Sequence, residues 1–463
     1  MSKKPNILFL LTDDQRYNTI HALGNEEIIT PNMDELVHRG TSFVQAHIPG
    51  GTSGAVCMPS RAMLNSGRTL FHLQGEGQNI PENHTTLGQC LKENGYHCFG
   101  TGKWHNGCES FTRSFSSGDN VFFGGMWDHW NVPTNYYDPT GEYDNVINFV
   151  VDFNTDNHPW KIHCDKFNPG VHSSELLSNT VIDFIKNYDK EEPFFAYTAY
   201  LAPHDPRTMP DEFKNMYPPE KIKIPENFME EHFEFGVSQI RDEILAAYPR
   251  TKEEMQRQIA EYYGMITHLD HEIGHVIKAL KDKGIYEDTI IILVGDNGLA
   301  IGNHGLMGKQ NHYEHSIRVP LIFAGPGIAQ HEIRNQYVYL MDIFPTICEM
   351  LKIEIPKSVE GKSFAKMFEI EDEVTRETLY FVYNDLIRSV KDSQYKLIQY
   401  KTVTERKQLF DIVNDPMEVN DLSSNTLYKE KIEDLSKLLI EYRDGSGEMQ
   451  HKFGKTYWQG EMQ

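Results

Sequence analysis

The sequence predicts an α/β fold: a large mixed, mostly parallel sheet sandwiched by helices, with a smaller α+β unit at its C-terminal end. Short apolar, β-prone runs alternate with helix-like stretches along most of the chain, the pattern of a parallel sheet covered by helices. Four of these runs stop at charged or imidazole side chains, and ligands of open α/β sheets bind beyond the carboxyl ends of the strands. From about residue 360 the pattern changes to closely spaced short strands followed by one helix.

Taken in chain order, Asn6 to Thr12 (NILFLLT) is the first strand and ends at Asp13-Asp14. His97 to Thr101 (HCFGT) is a shorter one, followed by Lys103 and His105. Residues 106–171 are aromatic-rich and irregular and read as an elaborated loop region over the site. Pro193 to Leu201 (PFFAYTAYL) is a strand ending at His204-Asp205, and Thr289 to Val294 (TIIILV) ends at Asp296-Asn297. Between them, residues 253–283 form one long amphipathic helix, with Ile266, Leu269, Ile273, Val276, Ile277 and Leu280 recurring at helical spacing. Gly284 closes it. Pro320 to Ala324 adds a strand without a polar end. Leu379–Tyr383, Ile387–Val390, Tyr395–Tyr400 and Gln408–Phe410, with a helix through Lys429 to Tyr442, make the smaller unit. The expected domains are 1–359 and 360–463.

With 463 residues, roughly 150 per domain allows two or three domains. The net charge of -23 excludes a nucleic-acid partner, because phosphate neutralisation needs a Lys/Arg surplus. A small anion is still compatible, since a few converging cations dominate a local site. The run Ile7 to Leu11 is too short for a signal h-region or a membrane span, and no later segment reads as one. A cytoplasmic enzyme without a membrane partner is the expectation. The six cysteines are scattered without a Cys-x-x-Cys pair, which reads as reduced thiols.

The decisive segment runs from Cys57 through Met58-Pro59-Ser60-Arg61 to Gly67-Arg68. Pro59 suits a helix first turn, which puts Cys57 at a helix N-terminus, where free N–H groups and the dipole favour an anion. Arg61 falls one turn on, able to reach back. Taken by itself this segment reads better as a small buried cysteine beside a helix start. Asp13, Asp14, Asp296 and Asn297 offer three carboxylates and an amide, hard oxygen donors that suit Ca²⁺ or Mg²⁺ and are poor for Zn²⁺. Singly, each pair is an ordinary turn; at paired strand ends the metal reading is the better one.

The segment from Cys57 to Arg68 resembles the signature of the formylglycine-dependent (type I) sulfatases, Cys-x-Pro-Ser-Arg with a Leu-x-(Thr/Ser)-Gly-Arg tail. Gly95-Tyr96 with Gly102-Lys103-Trp104-His105 resembles the second signature of that family, Cys98 standing where Ser or Thr is more usual. The resemblance continues at Asp13-Asp14, Ala202-Pro203-His204, Gly295-Asp296-Asn297-Gly298, Gly302-Asn303-His304-Gly305, Gly308-Lys309 and Arg318-Val319-Pro320. Leu409-Phe410-Asp411 and Asn414-Asp415-Pro416 resemble the family's C-terminal domain. It spans nearly the whole chain in order.

The resemblance implies an alkaline phosphatase-like fold and a bacterial carbohydrate sulfatase. It implies that Cys57 is oxidised to formylglycine by a formylglycine-generating or anaerobic sulfatase-maturating enzyme. The metal, usually Ca²⁺, is then held by Asp13, Asp14, Asp296, Asn297 and an oxygen of residue 57. Lys103 and Lys309 hold sulfate oxygens, Arg61 stabilises the aldehyde hydrate, His105 lies beside it, and His204 protonates the leaving oxygen. In the implied mechanism one hydroxyl of the hydrate attacks sulfur; the other is then deprotonated, sulfate departs and the aldehyde returns. His304, near Lys309 in sequence, is expected at the substrate. The substrate class is a sulfated mono- or disaccharide, glycosaminoglycan-derived in one version, with Trp127, Trp130, Tyr136 and Tyr137 either stacking on sugar or packing as a cover.

Two other readings stand beside the sulfatase: a phosphomonoester or phosphonate-ester hydrolase of the same superfamily, and a catalytically silent binding protein. A fourth pattern, His271-Glu272-Ile273-Gly274-His275, matches the His-Glu-x-x-His of zinc proteases. His271 and His275 fall opposite the apolar stripe, so this, together with His268, reads as a solvated helix face able to take up Ni²⁺ or Zn²⁺ adventitiously.

Overall fold

The computed structural model describes residues 4–150, 158–236, 238, 240–401 and 405–460. Its centre is an eight-stranded sheet whose first strand, Asn6–Thr12, is buried along its whole length. Ile7, Phe9 and Leu11 enter one apolar core, and Leu8 and Leu10 enter the other. Side chains on a strand alternate between faces, so a sheet covered on both sides demands a continuous apolar run. NILFLLT is that run.

Phe194–Ala199 and Thr289–Gly295 flank this strand in parallel. His97–Lys103 lies parallel beyond Phe194–Ala199, and Ser117–Phe122 forms the edge. On the other side Leu321–Ala324 and Gly40–Phe43 add in antiparallel pairings, and Glu332–Arg334 closes that edge in parallel with Gly40–Phe43. The helices Cys57–Ser66, Leu87–Glu93 and Ile343–Leu351 pack on one face through residues such as Met63, Leu91 and Phe344. Pro31–Arg39, Ser173–Asn187 and Lys252–Lys283 pack on the other through Leu36, Val181 and Ile273.

Three of these main-sheet strands, Gly40–Phe43, Ser117–Phe122 and Glu332–Arg334, were not foreseen from the sequence. The loop region 106–171 is also more ordered than expected where described. It contains the helix Cys108–Ser114, the edge strand, and short pairings at Pro133–Thr134 and Val146–Phe149.

The long helix is Lys252–Lys283, capped by Thr251 through the Glu254 N–H and ended by Gly284 at φ 74°. Its stripe is buried as expected. His268 is not on a solvated face: it is buried, its ring 4.6 Å from His172 and 4.8 Å from Phe213. The helices Ser173–Asn187 and Asp211–Lys214 pack against this helix, narrowing its exposed arc.

The C-terminal strands Leu379–Tyr383, Ile387–Lys391, Tyr395–Lys401 and Glu405–Asp411 form an antiparallel meander. Its edge is completed by Gly50–Gly51, in parallel with Leu379–Tyr383. Lys391 and Lys396 place their ammonium groups 2.8 and 3.1 Å from the Glu314 carboxylate, all buried. One apolar core runs through both parts. Among the described residues no helix is long and apolar enough to cross a membrane.

Gly102, one residue before Lys103, has φ +87°, and a Cβ there would collide with the Ala199 carbonyl of the neighbouring strand. Gly102→Ala is therefore expected to cost about 3 kcal/mol or more of stability. Urea denaturation followed by tryptophan fluorescence measures this; an unchanged midpoint would contradict the packing.

Candidate active site

Parallel strands in register bring distant sequence positions to one end of the sheet. Thr12 lies beside Gly295 and Ala199 beside Gly102, so Asp13, Asp296, Lys103 and the segment leading to His204 emerge together. The Asp296 N–H donates to the Thr12 carbonyl at 3.0 Å, and the Asp13 N–H to that of Ala202 at 3.1 Å. Into this end points the helix Cys57–Ser66, with Cys57 at its first position. Ser60 ties the helix to the site by donating its hydroxyl to the Asp296 carbonyl at 2.6 Å.

The Cys57 Sγ lies 3.6 Å from Lys103 Nζ and 3.6 Å from His105 Nδ1. Burial pushes the Cys57 thiol pKa up. Lys103 bonds Asp13, and Lys309 donates to Asp14 Oδ1 at 2.6 Å. Arg61, fully buried, is 2.8 Å from Asp296 and 3.2 Å from Asp13, and donates to the Lys103 carbonyl at 2.6 Å. Its guanidinium is thus spent on the carboxylates beside Cys57. Burial works against the Asp13 charge, but Lys103 and Arg61 outweigh it and hold the carboxyl well below its usual range. Burial and the adjacent Asp13 carboxylate push Asp296 up to about 6.

Two oxygens in this cluster are buried without a hydrogen-bond partner, Asp13 Oδ1 and Asn297 Oδ1. The Asn297 amide nitrogen is committed to Asp14 Oδ1 and the Gly298 carbonyl, so its oxygen is the free acceptor. Ligand atoms of Asp13, Asp296 and Cys57 lie within 4.8 Å of one another. Unsatisfied buried acceptors are costly unless something fills them, and an oxygen-rich set with two free acceptors fits a hard dication.

Asp14 and His105 adopt positive φ, 65° and 70°. Such backbone costs of order 1–3 kcal/mol and persists only where the surroundings enforce it. At Asp14 the enforcing contact is Tyr262 of the long helix, whose hydroxyl donates to the Asp14 carbonyl at 2.6 Å and accepts the Arg16 N–H at 3.0 Å.

His105 is pushed well below the usual imidazole range by burial, Lys103 and Arg61, so its ring is neutral. His204 places Nδ1 2.8 Å from the Asp205 carbonyl and Nε2 3.7 Å from Asp14. A carbonyl only accepts, so Nδ1 carries hydrogen and Nε2 is the free nitrogen. Cys57, His105, His204 and Lys309 line one cavity of about 390 Å³ together with Gly125, Met126, Arg241, Asp242, Gln310 and Tyr383.

His304 is not in that lining. Its ring stacks on Tyr313 at 3.7 Å, Nε2 meets the Glu418 carbonyl at 3.0 Å, and the side chain is buried against the C-terminal unit. Trp127, Trp130, Tyr136 and Tyr137 do not line the cavity either; Trp127 packs on Phe149 and Phe167, and Trp130 on His172. Sequence reasoning missed Arg241, Asp242, Gln310 and Tyr383. Gln310 was accessible as the neighbour of Lys309. Arg241 and Asp242 sit in a stretch without periodicity and gave no signal.

The sulfatase family model matches residues 5–353, and that of the C-terminal region of N-sulphoglucosamine sulphohydrolase matches residues 302–445. An arylsulfatase of Clostridium perfringens is 28% identical, covering 96% of this chain and 95% of its own. An N-acetylglucosamine-6-O-sulfatase of Bacteroides thetaiotaomicron is 23% identical, covering 95% of this chain and 86% of its own. A structure solved in complex with its substrate D-glucosamine-2-N,6-O-disulfate has the same fold, with a TM-score of 0.74 at 20% identity over 96% of this chain and 98% of the other.

Arg61 is the only group that bridges Asp13 and Asp296 among the described residues. Arg61→Met is expected to destabilise the fold by about 3–5 kcal/mol, the usual cost of leaving buried charge unpaired. Guanidinium unfolding of the metal-free protein tests this, and a loss below 1 kcal/mol, on the order of a surface pair, would mean the carboxylates find other compensation.

Proposed function

The chain belongs to the sulfatase family and is a sulfuric ester hydrolase, and on that premise we propose that it hydrolyses a sulfate ester on a mono- or disaccharide through a formylglycine made from Cys57. The observation that carries this reading is the position of the Cys57 sulfur, 3.6 Å from both Lys103 and His105 at a helix N-terminus in a cavity shared with Lys309 and His204. No ordinary structural cysteine needs two ammonium groups and two imidazoles around it.

We propose Asp13, Asp14, Asp296, Asn297 and the residue at position 57 as the metal ligands, with Ca²⁺ as the ion because every protein donor besides that residue is a hard oxygen. When in place, the hydrated aldehyde supplies a nucleophile that can collapse back, and the dication supplies charge for sulfate oxygens.

The chain's own groups do the rest. Lys103 and Lys309 are buried and anchored by Asp13 and Asp14, so their positive charge is preorganised where the sulfate's charge develops. Neutral His105 accepts a proton from the group at position 57. His204, fixed through Nδ1, has Nε2 for the leaving oxygen. Arg61 keeps the carboxylates ionised and in register. Arg241, Asp242, Gln310 and Tyr383 give the cavity polar atoms suited to sugar hydroxyls, and the relatives named for N-acetylglucosamine-6-O-sulfatase activity and for a bound glucosamine disulfate support a carbohydrate. The maturation of Cys57 requires a formylglycine-generating or anaerobic sulfatase-maturating enzyme as partner.

After co-expression with a maturation enzyme, the peptide containing Cys57 should be lighter by about 18 Da, the thiol-to-aldehyde change, and Cys57→Ala should abolish turnover. An unmodified thiol in active protein would sink the nucleophile. His204→Ala should slow a sugar sulfate by about 10²–10⁴-fold and an activated aryl sulfate far less; equal losses on both would remove its role as acid. EDTA should abolish activity and Ca²⁺ restore it, whereas restoration by Zn²⁺ alone would contradict the oxygen-ligand assignment.

A further inference from the structure

The sulfatase chemistry leaves one cluster on the long helix Lys252–Lys283 unexplained. At about 100° per residue, His271, His275, His268 and Glu272 share a single arc of roughly 100°. His271 and His275 are exposed, with ring centroids 4.5 Å apart. Glu272 is only 6% exposed. Its carboxylate lies 3.5 Å from His275 Nδ1 and 3.8 Å from His268 Nε2, and among the described residues these imidazoles are its ion-pair partners.

A buried carboxylate needs a compensating positive charge, and the groups that face Glu272 here are the imidazoles of His275 and His268. His268 Nδ1 is itself buried without a hydrogen-bond partner.

We propose that His271, Glu272 and His275 bind a zinc-class dication, with His268 orienting Glu272 from behind. One ligand atom from each of the three lies within 4.8 Å of the others, and two histidines four apart on a helix present both rings to one ion. Two imidazoles and one carboxylate select zinc and its borderline neighbours over Ca²⁺ or Mg²⁺, the reverse of the oxygen-rich cluster at the strand ends. His271 and His275 also line a depression of about 370 Å³. The lysines that share it, Lys278 and Lys281, are neutralised by Asp282 and Glu35. The site is a clamp on the helix, not a peptidase centre, because here Glu272 is itself a ligand of the ion and so does not serve as a base. Metal held only by the folded helix stabilises the fold by mass action.

The test uses the full-length enzyme, stripped with EDTA and saturated with Ca²⁺ to occupy the oxygen cluster. Zinc chloride is then titrated, bound zinc is counted by plasma mass spectrometry after gel filtration, and Tm is followed by calorimetry. Wild type should hold one zinc equivalent more than a His271→Ala/His275→Ala variant and show a zinc-dependent rise in Tm that this variant lacks. Aryl sulfate hydrolysis should be equal in the two. Glu272→Gln should weaken zinc binding by about 10–100-fold. Equal zinc counts in wild type and the double variant, or a Tm unaffected by zinc in both, would overturn the proposal. Both histidines are exposed, so the double variant decides the matter even if Glu272→Gln fails to fold.

Discussion

Three carboxylates buried at the ends of two neighbouring parallel strands must be neutralised inside the protein, and the fold around them is organised by that requirement. Asp13, Asp14 and Asp296 are out of contact with water, where an unpaired charge costs several kcal/mol. The compensating cations come from three different segments: Arg61 from the helix that begins at Cys57, Lys103 from a strand end, and Lys309 from the loop beyond Asp296. Each cation is therefore fixed in place by a carboxylate, and together they set the position of the cysteine sulfur. The charges that surround Cys57 and the fold's internal ion pairs are the same groups.

This dual use explains residues whose role is otherwise obscure. Ser60 and Arg61 attach the Cys57 helix to Asp296 from two sides. At the other end of the helix, Gly67 adopts φ 64° and its carbonyl accepts the N–H groups of Glu360 and Gly361. Arg68 then reaches the Ser358 carbonyl and Glu360. The signature from Cys57 to Arg68 is thus braced at both ends. Both braces together fix where the helix places Cys57.

The central strands and the cluster at their ends were legible in the sequence because both leave strong marks. A strand buried on both faces must be continuously apolar, and polar residues that break such a run stand out. Gly40–Phe43, next to one edge of the sheet, and Ser117–Phe122, at the other edge, left no such mark: GTSF and SGDNVF are short and carry small and polar residues in place of an apolar run. His268 and His304 were misplaced for a related reason. Helical spacing gives a residue's angle on its own helix but not which neighbour covers it, and motif proximity gives distance along the chain but not direction. The cavity wall from Arg241, Asp242 and Tyr383 is assembled by tertiary packing alone.

Tyr383 shows how far that packing reaches. It belongs to the C-terminal meander, yet it lines the cavity that holds Cys57. Its strand pairs with Gly50–Gly51, a few residues before Cys57, through a register that sets Tyr383 beside Gly51. A Cβ at Gly50 would strike the Val382 carbonyl, so the approach of the two segments depends on glycine there. The same meander sends Lys391 and Lys396 to Glu314, on the stretch that follows Lys309. Both segments that frame the cavity are thus locked to the C-terminal sheet by backbone pairing on one side and buried ion pairs on the other. A change in the length of the turn between Tyr383 and Ile387 would move the cavity wall without touching any residue of the charge cluster at the strand ends. The cavity wall can therefore diverge in the C-terminal unit while the charge cluster at the strand ends stays fixed.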